Sequence, residues 1–196
     1  PTDCDQCHGA AFRRDVVWQR RRGVRTTAWR FDQDLHFQYW GEYSNRPGGQ
    51  GELTETMSCL GACWFLSRAW YGELGGLDEA HGSWGQMGTE IACKAWLSGG
   101  QMLCNQRTWF AHLFRTQGGD FGFPYPIHHR DQAKARAHSR ALWLEGGWAP
   151  AVRPIQWLIE HFAPVPTWEV MAPRQAPAVQ TRQTAGVIYY SDNRPD

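Results

Sequence analysis

The sequence predicts an α/β fold in which helices flank a small, incomplete mixed sheet. Short apolar runs of strand length recur at residues 26–31, 37–40, 59–66, 101–105 and 109–114. Segments with helical periodicity lie between and after them, stopped by glycine pairs at 75–76, 99–100 and 146–147. A chain of 196 residues with 42% hydrophobic and 14% aromatic content can also bury a core, so it reads as globular.

The elements follow in order. Residues 13–17 and 26–31 read as strands on either side of the basic Arg20-Arg21-Arg22-Gly23 turn, and 37–40 as a strand or packed aromatic ladder. Asn45-Arg46-Pro47-Gly48-Gly49-Gln50-Gly51 has the composition of a mobile loop, and 52–56 lead into a central apolar strand at 59–66. Ser67 is placed to cap a helix over 68–74 with Trp70, Tyr71 and Leu74 inward, and Gly75 ends it. A second helix over 88–97 turns Ile91, Ala92 and Ala95 inward, and strands follow at 101–105 and 109–114. Gly, Pro and aromatics alternate through 116–130, the composition of a lid. Helices are predicted over 131–145 and 154–162, a Pro, Gln and Ala linker over 171–184, and a new strand at Val187-Ile188-Tyr189-Tyr190. The expected domains are an insert with irregular strands at 1–51, the main α/β body at 52–170, and a linker with the start of a following domain at 171–196.

Composition narrows the function classes. A net charge of +1 supplies no global attraction to nucleic acid or membranes. No uninterrupted apolar run reaches the roughly 18 residues of a membrane span. Twelve Trp suit sugar rings or nucleobases, and equally a packed core; Trp64, Trp96 and Trp109 are assigned to the core. Arg outnumbers Lys 18 to 2, which suits phosphate recognition but is explained more simply by an arginine-favouring genome. Of six Cys, Cys59, Cys63, Cys93 and Cys104 sit in apolar segments as small hydrophobes, which points to free thiols and a reducing, cytoplasmic setting. Cys4-x-x-Cys7-His8 has metal-ligand spacing. It reads as half a Zn2+ site, as a site completed by His8 and a distant His, or as two idle thiols. The start at Pro1 without Met and the end within a new strand and turn lead us to expect a piece of a longer protein.

One ordered set of motifs carries a resemblance. It comprises Gly61-Ala62-Cys63-Trp64-Phe65-Leu66-Ser67-Arg68, Leu74-Gly75-Gly76-Leu77-Asp78-Glu79, Trp84-Gly85, Glu90, Trp96, Gly99-Gly100 and Ala111-His112-Leu113-Phe114-Arg115. Over 52–145 it resembles the second half of the GT-A catalytic domain of family 2-like glycosyltransferases and polypeptide N-acetylgalactosaminyltransferases. Residues 13–57 look like the insert of a bacterial and phage-type branch. The resemblance implies the C-terminal half of a Rossmann-like domain that binds a nucleoside-diphosphate sugar and passes the sugar to a hydroxyl of a glycan, lipid or protein acceptor.

It further implies a divalent cation, Mn2+ with Mg2+ as the alternative, that neutralises the departing diphosphate and takes His112 as one ligand. By itself a His between Ala and Leu on a strand is usually a core residue. Arg115 matches an Arg that reaches the diphosphate, with a surface ion pair as its plainer reading. Trp84 and Gly85 match the acceptor side, and Phe121 and Tyr125 belong to the lid. The chain departs from the family at Met87 and Gly88, where relatives carry an acid. Glu90, Asp78 and Glu79 are therefore the candidates to take the acceptor's proton, beside plainer roles as a helix first-turn acid and as turn formers. The family's first half, with its acidic metal motif, is missing, so the fragment alone is expected to be inactive. The competing readings are a glycan-binding or scaffold domain of the same fold without catalysis, and a zinc-binding module around Cys4 and Cys7.

Overall fold

The computed structural model describes residues 28–82, 84–110, 112, 122 and 126–168, with the backbone of Val187–Tyr190. Cys4, Cys7, Arg115, Phe121, Tyr125, the strand expected at 13–17 and most of the lid lie outside the described residues.

The first strands form an antiparallel hairpin, β1 (Trp29–Phe31) with β2 (Phe37–Tyr39). Asp32 closes its turn by accepting the backbone N–H groups of Asp34 and His36 on one oxygen, each at 3.0 Å. The 45–51 stretch, expected as a loop, is partly regular. It forms 3-10 turns Gly41–Asn45 and Pro47–Gly49, because Gly49 packs so closely on the Tyr43 carbonyl that only glycine fits. Arg46 then stacks on Trp40 at 4.8 Å and donates to the carbonyls of Phe162 at 3.0 Å and Pro164 at 2.7 Å.

β3 (Leu53–Glu55) runs antiparallel to β4 (Gln101–Asn105), and β4 pairs in parallel with β5 (Val187–Tyr190). The described structure is thus α/β with small sheets, one of them mixed. Val187–Tyr190, expected to open whatever follows, joins this sheet beside β4.

The apolar run at 59–66 is not the central strand. Gly61 turns with φ +83°, and Ser58 makes a single bridge to Trp29, so this backbone lies against the start of the second helix instead. A run of apolar residues is needed there for burial, not for pairing, and periodicity does not separate the two. Trp109 and Phe110 are irregular as well, and Trp109 is exposed where a core position was expected.

The helices match the sequence closely. α1 (Arg68–Glu73) starts at Ser67, whose hydroxyl accepts the Trp70 N–H at 3.2 Å. It stops in a Schellman turn: Gly76 N–H bonds to Tyr71 O at 2.9 Å and Gly75 N–H to Gly72 O at 3.0 Å, with both glycines at positive φ. α2 (Met87–Leu97) is buried at every position after Met87 and forms the centre of the molecule. Ile91, Ala92 and Ala95 point inward as expected, and Trp96 donates to Thr56 O at 3.1 Å. α4 (Ile155–His161) packs on α2, and α3 (His129–Trp143) packs on the 3-10 turn Glu79–His81, with Ala135, Trp143, Leu158 and Ile159 buried.

Gly88 lies against the Cys59 carbonyl, where a Cβ would collide with the oxygen. We expect Gly88→Ala to cost about 1–3 kcal/mol, read as a lower urea midpoint. Gly72→Ala, which meets nothing within 4 Å, is expected to hold or raise stability by up to about 1 kcal/mol.

Candidate functional site

The site grows from the loop between α1 and α2. Asp78 caps the short 3-10 turn Glu79–His81, its Oδ1 accepting the Ala80 N–H at 2.9 Å. This turn aims His81 inward and leaves Glu79 exposed. Glu90, one turn into α2, is only 3% exposed, and its Oε1 accepts the Asp78 N–H and the Lys94 ammonium, both at 2.7 Å. Its Oε2 lies 3.3 Å from His81 Nδ1. Lys94 also donates to the Gly76 carbonyl at 2.6 Å.

With the Gln86 amide assigned by its contact with Leu35, the hydrogen bonds around His81 are those of a doubly protonated ring. Gln86 Nε2 donates to Leu35 O at 3.4 Å, so its Oε1 is the acceptor that receives the Ser139 hydroxyl at 2.8 Å. A hydroxyl has one proton, so His81 Nε2, 2.8 Å from Ser139 Oγ, must be the donor there. His81 Nδ1 faces the Asp78 carbonyl at 3.1 Å and Glu90, both acceptors, so it carries a proton too. His81 is therefore an imidazolium. Burial opposes its charge, but hydrogen bonding and attraction to Glu90 outweigh that and raise its pKa. Burial likewise pushes Glu90 up, and the donors His81, Lys94 and Asp78 N–H together pull it below the usual carboxylate value.

On the outer side, His138 of α3 bonds through Nε2 to Asp78 Oδ2 at 2.7 Å, with the side chains 30% and 32% exposed. That bond, followed by the Ala80 N–H, lowers the Asp78 pKa. Two cations and two carboxylates thus balance, with Lys94 and His81 facing Glu90 and Asp78. Among the described residues, Asp78, His81 and His138 offer ligand atoms within 4.8 Å of one another. Those atoms are engaged in the hydrogen bonds just given, which makes the group an ion-pair network; a cation could enter only by opening them.

Beside this network lies an open cleft of about 240 Å³. Phe37 and Gln38 of β2 form one wall, Trp84, Gly85 and Gln86 the next, and Gln132 and Arg136 of α3 the third. Trp84 is 50% exposed and meets Phe37 edge-on at 5.9 Å. Gln86 belongs to both structures, lining the cleft and holding Ser139.

The structure brings Asp78 and Glu90 together, places Trp84 and Gly85 on the cleft, and leaves Glu79 at the surface. His112 is half-buried with its ring 6.4 Å from Phe110, and belongs to no group of three ligand-bearing side chains among the described residues. Cys59, Cys63 and Cys93 are free thiols. Burial pushes the Cys59 thiol up to about 12 and raises Cys93 well above its usual value, with nearby Glu90 adding to the latter, so both stay protonated. His81, Gln86, Lys94, Arg136, His138 and Ser139 were not singled out from sequence. Only the Glu90 to Lys94 spacing of four and the Asp78 to His81 spacing of three hinted at them.

No protein-family model matches the chain, and no solved structure matches it. Polypeptide N-acetylgalactosaminyltransferase 8 of Drosophila melanogaster is 33% identical over 90 residues, covering 43% of this chain and 15% of that protein. The chain thus contains a glycosyltransferase-related region, spanning a small part of that relative's length. Among the described residues no helix is long and apolar enough to cross a membrane.

Removing one partner from the buried network leaves the other charges unmatched. We expect Glu90→Ala to cost about 3–5 kcal/mol, read by urea denaturation. The pH dependence has two flanks. The His81 contribution is complete below the ordinary 6.5 and is lost as pH rises through the raised folded-state value. The Glu90 contribution is complete above the ordinary 4.5 and is lost as pH falls through the lowered value. Urea midpoints measured against pH should show both flanks in the natural chain, and His81→Gln should abolish the alkaline one.

Proposed function

We propose that this chain carries the acceptor side of a GT-A type transferase that moves a sugar from a nucleoside-diphosphate donor to a hydroxyl of a glycan, lipid or protein. The observation that carries this reading is the cleft built on Trp84-Gly85-Gln86, inside the stretch that resembles such enzymes. The similarity to the Drosophila transferase supports it.

In this reading the acceptor ring lies on the open face of Trp84, with the glutamine amides beside its hydroxyls. The acceptor oxygen bonds to the anomeric carbon, the bond from that carbon to the diphosphate breaks, and the acceptor proton passes to the protein. Asp78, Glu79 and Glu90 all stand outside the cleft lining. Asp78 is the one assigned to that proton, because it is partly exposed and can pass the proton on to His138 across their 2.7 Å bond. Glu90 is enclosed and acts as a positioning residue, while Glu79 has no described partner. Mn2+, or Mg2+ in its place, would neutralise charge on the leaving diphosphate when bound. His112 is this chain's contribution to such a site, and further ligands would have to come from outside the described residues, so we derive no step through the ion. The thiols of Cys59, Cys63 and Cys93 support a reducing, cytoplasmic setting.

A glycan-binding domain without turnover is the second reading, favoured by Met87, which stands exposed at the position where the resemblance would place an acid.

The test is diphosphate release by the full-length protein with Mn2+ and a panel of nucleoside-diphosphate sugars. Asp78→Asn and His138→Gln should each lower kcat by about 10²–10⁴, and Glu79→Gln should stay within about twofold of the natural protein. Unchanged turnover in the first two variants would refute the proton assignment. Glycan binding without turnover on any donor would favour the second reading.

A further inference from the structure

We propose that the cleft takes a sugar residue bearing an anionic group, with its ring on Trp84 and its charge on Arg136. The proposal rests on the reading of this cleft as the acceptor site and names the acceptor's chemistry.

Arg136 lines the cleft from α3 and is half-buried. Its helical neighbours have acids: Arg140 pairs with Asp34 at 3.7 Å, and Arg130 and Lys134 with Asp131 at 3.9 and 4.0 Å. Among the described residues, the Arg136 side chain has no ion pair or hydrogen bond, and no Asp or Glu lines the cleft. The second basic group on the wall, His36, already faces Asp32 at 3.9 Å. A guanidinium that has given up part of its hydration without gaining a counter-charge favours an incoming carboxylate or phosphate, whose oxygens match its fork.

The remaining surfaces specify a sugar as the carrier of that charge. Trp84 stands nearly perpendicular to Phe37 and keeps half of its surface exposed. Gln132 presents an amide that both donates and accepts, and Gln38, whose Nε2 already donates to Asp32 Oδ2 at 2.9 Å, adds a second amide to the wall. A cleft of about 240 Å³ falls below the roughly 300–1,000 Å³ of sites that enclose larger ligands. It suits one ring with its substituent better than a whole nucleotide sugar.

The experiment titrates the 196-residue chain with four probes, following the indole N–H resonances by NMR. The probes are methyl glucoside, methyl glucuronide, glucose 6-phosphate and inorganic phosphate. Methyl glucuronide, glucose 6-phosphate or both should bind about tenfold tighter than methyl glucoside, and which of them does so identifies the anion. Arg136→Gln should erase that preference while keeping the affinity for methyl glucoside, which shows that the variant is folded. Arg136→Lys should keep part of the preference, and Trp84→Ala should weaken all three sugars.

Equal affinity for charged and neutral sugars, a preference that survives Arg136→Gln, or inorganic phosphate binding as tightly as glucose 6-phosphate would each overturn the proposal. Binding is read without turnover. A missing transfer activity with the preference intact therefore counts against the transferase reading alone, and transfer without the preference counts against this inference alone.

Discussion

The molecule is built around a carboxylate that has been taken out of water. Glu90 sits in the first turn of the central helix, and its charge is tolerated only because backbone, ammonium and imidazolium donors converge on it. Each donor comes from a different place: the loop after α1, the next turn of α2, and the 3-10 turn that faces α3. A buried ion of this kind adds little stability compared with well-packed hydrocarbon, but any arrangement that moves one donor leaves a charge stranded. We read it as a device that fixes one geometry for the loop.

That constraint reaches the cleft through a short path. His81 donates to Ser139, Ser139 donates to Gln86, and Gln86 forms part of the cleft wall beside Trp84. The direction of each hydrogen bond is set by the next, ending at the Leu35 carbonyl in the hairpin turn. Gln86 therefore enters the cleft wall with its amide already tied, as preorganised recognition requires. The half-exposed Trp84 and the half-buried Arg136 stand beside it.

Much of the local structure was legible in the sequence. Ser67 and the Gly75-Gly76 pair bounded α1 correctly because capping chemistry is local, and β4 fell at the expected residues. The 59–66 run was misread because burial and strand pairing select the same residue types. The 3-10 turn within 45–51 was missed because Arg46, which leads into it, bonds to carbonyls more than a hundred positions away. At the site, Asp78, Glu90, Trp84 and Gly85 were singled out through a resemblance. The partners that define their state were not, since His138 and Ser139 stand about sixty residues downstream in a helix with no distinguishing pattern. A sequence shows which groups can ionise, and the fold decides what faces them.

The end of α1 shows how far this coupling extends. The carbonyl that receives the Lys94 ammonium belongs to Gly76, the second glycine of the Schellman turn. A helix stop and a charge-solvating group thus meet in one residue. Lengthening α1 by a residue, or replacing its left-handed terminus, would swing that oxygen away from the ammonium. In descendants of this chain, the length of a surface helix and the ionisation of the interior would have to change together.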